Sequence, residues 1–351
     1  MNKVTDTFLQ LVQIDSPSGH EEKVSLYLQN WLKKNNFGFK IDKVGNIYAK
    51  NSKPGKSLLL CAHMDTVQPC IGIKPVIKNR VIKSAGNTIL GADNKVAIAA
   101  ILTAVEMNKS NKALELLFTV KEETGGGIEY FPFEWIKTKQ GLVFDKSNPL
   151  GGIVLGSPYI YNFHVILTGK VAHSGTPSKG INAFMPAFST LSQISVGKLD
   201  NGQTTINIGL IKGGTGINTI PDKIYISGEI RSYDKKLFET HLKKIQTLFE
   251  KESKKNHVMC SFSKDGYCSG YSFSKSNTFI KQIAKIYTQE GLITEYYKYS
   301  GISDANILNG YGIQVINLTD GAKHPHTKDE QITVKDLESL TSIIIACIDK
   351  L

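Results

Sequence analysis

Four places in this sequence put a histidine or a carboxylate where an expected strand ends or an expected helix begins. His63 and Asp65 close the apolar run SLLLCAH, and Asp93 lies in GADN ahead of a helix. Glu122 and Glu123 follow ALELLFTV, and Asp145 ends GLVFD. In open α/β sheets, ligands bind at such carboxyl ends. Any one of these residues alone reads most simply as a helix cap or a solvated acid. Together they bring an imidazole and several acids to one edge of one sheet, where they repel unless cations lie between them. Imidazole and carboxylate without thiolate suit Zn²⁺, or Mn²⁺ or Co²⁺ in its place. Several carboxylates suit two metals sharing one of them. A second imidazole is then required, and HPHTKDE offers His324 and His326.

The elements that must position these groups can be read from periodicity. Ser18-Gly-His-Glu21 reads as a capping box before the helical spacing of VSLYLQNWLKKNN. Short strands follow near 39–50, then strands over 57–63, 113–120 and 141–145, with an apolar helix over 92–107. This alternation predicts an α/β fold with a mixed, largely parallel sheet flanked by helices. From residue 159 the pattern changes: strand 159–169, helix 181–194, strands 204–213 and 223–232, helix 234–254 and strand 257–263. That order, βαββαβ, is ferredoxin-like. Helix, strand, strand and helix then return to the end of the chain. The expected division is a first domain made of 1–158 and 270–351 with 159–269 inserted, and 351 residues fit two domains better than one.

Composition narrows the function classes. The chain is 41% hydrophobic and 21% charged, ordinary for a globular protein. No apolar run reaches the roughly 18 residues of a membrane span. The N-terminus, MNKVTDTFLQLVQIDSPSGHEE, lacks the apolar centre of a secretion signal, so a cytoplasmic protein is expected. Five cysteines without Cys-x-x-Cys spacing fit reduced thiols. The formal charge of +11 invites a nucleic-acid reading, yet Arg80 and Arg231 are the only arginines and the lysines are dispersed. Base and phosphate readers favour the arginine fork, so no nucleic-acid partner is expected.

The segments CAHMDTV, ILGADNK, VKEETGGG, AHSGTPSKGINA and HTKDE, in that order, resemble the dizinc peptidase family that includes peptidase T, carboxypeptidase G and the aminoacylases. The text between them is most similar to the peptidase T-like, tripeptide aminopeptidase branch, and the likeness runs from about residue 9 to residue 340. The resemblance implies two Zn²⁺ per subunit, with Asp93 bridging, His63 and Asp145 completing one site, and Glu123 and His326 the other. It implies that Asp65 orients His63, that Glu122 is the general base, and that His173 supplies an oxyanion donor. Neighbouring side chains on an extended segment diverge, which lets Glu123 face metal while Glu122 faces water. Gly125–Gly127 give the backbone room to turn. A cis bond is expected between Asp93 and Asn94, where many relatives carry a second acid.

Asn218, Arg231 and Gly301 match substrate-contact positions, although Ile302 stands where relatives keep a small residue. The inserted domain becomes a lid and dimerisation domain, and a homodimer acting on short peptides is implied. A carboxypeptidase or an N-acyl-amino-acid amidohydrolase would use the same residues. Cage-forming relatives carry a β-barrel insert, which the βαββαβ order here does not match. An inert binding module would lack Glu122 or a ligand, and every position is filled.

Overall fold

In a computed structural model, which describes residues 2–351, the amphipathic N-terminus folds as α1 (Lys3–Val12). The chain continues through α2 (Glu22–Lys34), β1 (Gly38–Ile41), β2 (Ile47–Lys50), β3 (Leu58–His63), β4 (Pro75–Lys78) and β5 (Val81–Ser84). Next come α3 (Ala92–Met107), β6 (Leu114–Thr119), β7 (Gln140–Lys146) and β8 (Gly152–Ser157). One structural unit comprises the chain up to Leu155 and from Phe273 onward; Gly156–Ser272 form a second.

The second unit contains β9 (Tyr159–Thr168), β10 (Ala172–His173), α4 (Phe184–Leu191), β11 (Gly197–Leu199) and β12 (Thr204–Gly213). It continues with β13 (Thr219–Ile220), β14 (Lys223–Ser232), α5 (Lys235–Lys255), β15 (Met259–Cys268) and β16 (Tyr271–Ser272). The first unit is completed by α6 (Thr278–Gln289), β17 (Glu295–Lys298), α7 (Asp304–Gly310), β18 (Gln314–Thr319), β19 (Gln331–Thr333) and α8 (Val334–Lys350).

In the first unit the sheet order is β1-β2-β6-β3-β7-β18-β8, with β17 also against β8. Its centre is parallel, β3 pairing with β6 and β7 and β18 with β7, and its flanks are antiparallel. Every residue of β3 and β6 is buried, as a strand covered on both faces requires. α3 is apolar all round because it packs on α1, α8 and the sheet at once. Each Leu or Ile so buried contributes about 1.5–3 kcal/mol.

The second unit orders its strands β11-β12-β14-β9-β15, all antiparallel, with α4 and α5 against one face. Its core joins Phe163, Val165 and Leu167 to Ile224, Ile226, Phe238 and Phe249. The ferredoxin-like order is therefore present. Among the described residues no helix is long and apolar enough to cross a membrane, and all five cysteines are free.

One expectation needs correction and one element was not anticipated. The Ser18–Glu21 capping box does not form: α2 begins without a side-chain cap, and both side chains turn to partners far along the chain. The hairpin β4–β5 gave no sequence signal. Its two-residue turn has Asn79 and Arg80 at φ 52° and 61°, and an arginine holds the place where glycine usually marks such a turn.

Candidate metal centre

The side chains singled out in the first unit converge, because parallel neighbours end at the same edge. β3 delivers His63, β6 leads to Glu122 and Glu123, and β7 carries Asp145. Asp93 arrives at the start of α3, after Gly91 at φ 71°, a left-handed conformation that suits glycine. The Asp93–Asn94 peptide is cis, and Asn94 Nδ2 donates to the Phe144 carbonyl at 2.6 Å, tying this turn to β7.

One oxygen of Asp93 faces each of two imidazoles. His63 Nε2 lies 3.1 Å from Oδ1 and His326 Nε2 lies 3.4 Å from Oδ2. His63 Nε2 is also 3.7 Å from Asp145 Oδ1, and His326 Nε2 is 2.9 Å from Glu123 Oε1. That last contact lacks hydrogen-bond geometry, so buried Glu123 Oε1 accepts no hydrogen bond. Three sets of donor atoms each lie within 4.8 Å of one another: His63, Asp93 and Asp145; Asp93, Glu123 and His326; His63, Glu122 and Glu123. His324 belongs to none of them. Nitrogen and oxygen donors, two histidines facing one carboxylate, and a buried carboxylate oxygen that accepts no hydrogen bond together fit a pair of divalent cations.

The electrostatics carry the same mark. Burial pushes Asp145 up to about 7, with Asp93 and Asp304 adding to it. Burial also drives Glu122 well above the usual carboxylate range, reinforced by Asp145, Asp304 and Glu123. Burial acts against charge on His63, yet Asp145, Asp65 and Asp93 draw its pKa well up. The carboxylates of Asp93 and Glu123 beside it draw His326 up to about 10. Burial opposes charge on Asp93 too, yet His326 and His63 hold it well below the usual carboxylate range, so proton affinity gathers on Glu122 and Asp145.

Glu122 and Glu123 do not sit on an extended segment. β6 ends at Thr119, Lys121 adopts φ 54°, and the pair lies in the turn that follows. Both backbone N–H groups point at Asp65, Glu122 N to Oδ1 at 3.0 Å and Glu123 N to Oδ2 at 3.1 Å. Gly127 is needed close behind, since a Cβ there would meet the Val120 carbonyl oxygen at 1.7 Å. His63 Nδ1 is 3.0 Å from the Asp65 carbonyl oxygen and 3.4 Å from its carboxylate. Asp65 thus holds the His63 ring and the glutamate turn together.

Sequence reasoning missed several supports. Glu330 caps the loop that carries Asp93, accepting from Leu90, Gly91 and Asp93 N–H groups at 2.8, 2.6 and 2.9 Å. Asn317 grips the backbone of Asp145 by both its N–H and its carbonyl, each at 3.0 Å. Tyr299 has its hydroxyl pKa raised by burial and then by Asp145, Asp93, Glu122 and Glu123. Gly301 belongs with it, because a Cβ there would lie 2.8 Å from the Tyr299 hydroxyl. Glu330 lay in view as the last residue of HTKDE; Asn317 and Tyr299 had no motif to mark them.

The remaining candidates lie in the second unit. β10 pairs with β13, which sets exposed His173 opposite Thr219, and Ser174 N donates to the Asn218 carbonyl at 2.9 Å. His173 Nδ1 accepts from Gly175 N at 3.0 Å, so in the neutral ring the proton resides on Nε2. Arg231 Nε and one terminal nitrogen already bind Glu229, at 2.5 and 2.8 Å.

Comparison with known proteins adds three kinds of likeness. Residues 156–257 match the family model described as the M20 peptidase dimerisation domain. Among curated proteins, the uncharacterised YqjE of Bacillus subtilis is 30% identical, over 99% of this chain and 98% of its own length. A probable carboxypeptidase of Aspergillus niger is 26% identical, over 93% of this chain and 85% of its own. Among solved structures, aminopeptidase PepT from Bacillus cereus matches with a TM-score of 0.93 at 29% identity, covering 99% of this chain and 98% of that one. A tripeptidase from Staphylococcus aureus matches with a TM-score of 0.89 at 29% identity, covering 99% and 97%.

Proposed function

The chain belongs to the M20 peptidase family, and on that footing we propose that it is a two-metal aminopeptidase releasing the first residue of short peptides, tripeptides above all. The observation that carries this reading is Asp93, with one carboxylate oxygen toward His63 and the other toward His326. His63, Asp93 and Asp145 would hold one cation, and Asp93, Glu123 and His326 the other. Zn²⁺ suits these donors, with Mn²⁺ and Co²⁺ as substitutes. When bound, such a pair acidifies water and polarises the scissile carbonyl.

The chain's own residues do the rest. Glu122 takes the proton of the attacking water and returns it to the leaving amine. Its high proton affinity reflects burial among acids, and two dications beside it would lower that affinity and leave it ionised, able to accept a proton at neutral pH. Asp65 keeps the His63 ring turned so that Nε2 faces Asp93 and Asp145. His173, with its Nε2 proton available, donates to the developing oxyanion. Asn218 lies beside it, next to β13. Arg231 takes a substrate carboxylate by exchanging it for Glu229. Gly301 keeps Tyr299 in place.

A homodimer through the second unit is part of this reading. β11 pairs with β12 only at Thr204–Ile206, which leaves the outer edge of β12 beyond them without a strand partner among the described residues. Leu210 and Ile211 on that edge, and Met185 and Phe188 on α4, are 42%, 51%, 55% and 59% exposed. A cytoplasmic setting fits the five free thiols.

A hydrolysis panel of di- and tripeptides, blocked at either end, tests the substrate reading. Cleavage is expected for C-amidated peptides, with a higher KM because Arg231 loses its carboxylate, and not for N-acetylated ones. The opposite pattern would establish a carboxypeptidase, the reading that the Aspergillus relative favours.

A further inference from the structure

We propose that Glu21, in the loop before α2, is a positioning residue for Glu122, and that Ser18 completes the same clamp through Asp65. The proposal rests on the reading of Glu122 as the proton acceptor. Glu21 is only 5% exposed, and a buried carboxylate needs compensating partners. Its Oε1 accepts from Gly19 N at 2.7 Å and from Lys121 N at 3.0 Å, a hundred residues along the chain.

Lys121 is the residue on which the glutamate turn depends. Its φ of 54° is left-handed, a conformation that a side chain with a Cβ disfavours, so the turn needs an outside hold. Three successive N–H groups, of Lys121, Glu122 and Glu123, all donate to buried carboxylates. Successive amides in such a turn make an anion-binding concavity. Here it is filled by two carboxylates of the chain itself, Glu21 on the first amide and Asp65 on the next two. With the amides so held, ligand atoms of Glu122 and Glu123 lie within 4.8 Å of each other and of a His63 ring nitrogen.

The clamp is anchored at its far end as well. Ser18 Oγ donates to Asp65 Oδ2 at 2.7 Å. Thr66 N donates to the Ser16 carbonyl at 2.9 Å, and Pro17 bridges to Thr66. His20 N closes a turn onto the Pro17 carbonyl at 2.8 Å. Residues 16–21 therefore join the loop after β3 to the loop after β6, and neither loop could shift against the other without breaking one of these bonds. The side-chain hydrogen bonds of Glu21 go to Gly19 and Lys121 and not to the proposed ligands. Its effect reaches them through the backbone of Lys121.

The test compares Glu21→Ala, Glu21→Gln and Ser18→Ala with the parent enzyme, loaded with Zn²⁺, on a free-amino tripeptide. Glu21→Ala is expected to lower kcat about 10- to 100-fold with KM within about threefold and bound zinc unchanged, the signature of a misaimed base. Amide exchange of the peptide over 119–127 should speed up by about tenfold or more in the same variant. Glu21→Gln keeps the accepting Oε1 and should restore most of both readouts. Ser18→Ala should show the same pattern more weakly, and it serves alone if Glu21→Ala does not fold.

Parent-like kcat in Glu21→Ala, or losses in Glu21→Ala and Glu21→Gln that merely track lowered melting temperature, would overturn the proposal. Glu122→Gln is run beside them. If it retains turnover, the assignment of the base is wrong; if it is inactive while Glu21→Ala is parent-like, only the clamp is wrong.

Discussion

The carboxyl edge of the first unit's sheet and the helix-free face of the second unit's sheet carry the same kinds of side chain and treat them in opposite ways. On the second, His164 Nδ1 lies 2.9 Å from Ser227 Oγ and its Nε2 lies 3.0 Å from Asp265 Oδ2. Asp265 Oδ1 takes Asn162 Nδ2 at 3.1 Å, and Arg231 grips Glu229 with two bonds. These groups satisfy one another. At the edge of the first sheet, Asp93, Glu122, Glu123 and Asp145 meet with two histidines between them, and Asp304, Asp320 and Glu330 are buried nearby. The acids raise one another's proton affinity, and a buried oxygen is left over. A histidine beside an aspartate therefore marks nothing by itself. Charge that the protein cannot balance from its own side chains marks a place built for a partner.

The sharpest way to break this contrast is to remove the shared acid. Asp93→Ala should abolish binding of both cations and bring peptide hydrolysis to background, measured as metal per chain and turnover. Asp265→Ala, an aspartate that also sits beside a histidine, should leave metal content unchanged. Retention of one full equivalent by Asp93→Ala would mean that the two donor groups are independent sites. Next in size is Glu122→Gln, which should keep both cations and lose about 10²- to 10⁴-fold in kcat. Loss of metal in that variant would exchange the roles of the two glutamates.

Much of this was legible because the decisive signals are local. The strand ends at His63 and Asp145 and the helix start at Asp93 stand beside apolar runs whose periods are plain, and the βαββαβ order survives boundary errors of a few residues. What stayed hidden depends on tertiary partners. Ser18 and Glu21 have the spacing of a capping box, and only the fold offers them Asp65 and the Lys121 amide instead. Glu330 and Asn317 act on backbone groups of distant loops, which leave no trace in residue type. Glu122 and Glu123 follow a strand, yet the left-handed turn at Lys121, a residue with no preference for it, redirects them. Arg231 is marked by resemblance as a substrate contact, and its bonds to Glu229, two residues back, left no sign in the sequence.

The unbalanced charge should also appear in stability when cations are stripped. Asp145 and Glu330 are both pushed up to about 7, by burial first and by Asp93 among the others. The folded chain thus keeps protons that the unfolded chain has released, so this stability is fullest below about pH 4 and is lost as pH rises through 7. His326, drawn up to about 10, acts in the same direction above its ordinary value of 6.5. The melting temperature of the stripped protein should fall by roughly 3–6 °C between pH 5 and pH 8. Added Zn²⁺ should raise it more at pH 8 than at pH 5, because the ligands are then ionised. A flat or rising profile would mean that the acids are already balanced, and the contrast between the two surfaces would fail.

The smallest effect is expected where the side chains already satisfy one another. His164 and Asp265 are 38% and 65% exposed at the side chain, so water screens their interaction. His164→Ala should cost no more than about 1 kcal/mol, with no change in bound metal, by chemical denaturation and metal analysis. Ser227 and Asp265 lose a partner but keep access to solvent, so no buried polar group is stranded. A cost well above that would show that the network braces the second unit's sheet, as Glu330 and Asn317 brace the strand ends of the first. The two surfaces would then differ only in whether their charges sum to neutrality, and that alone would separate a brace from a site.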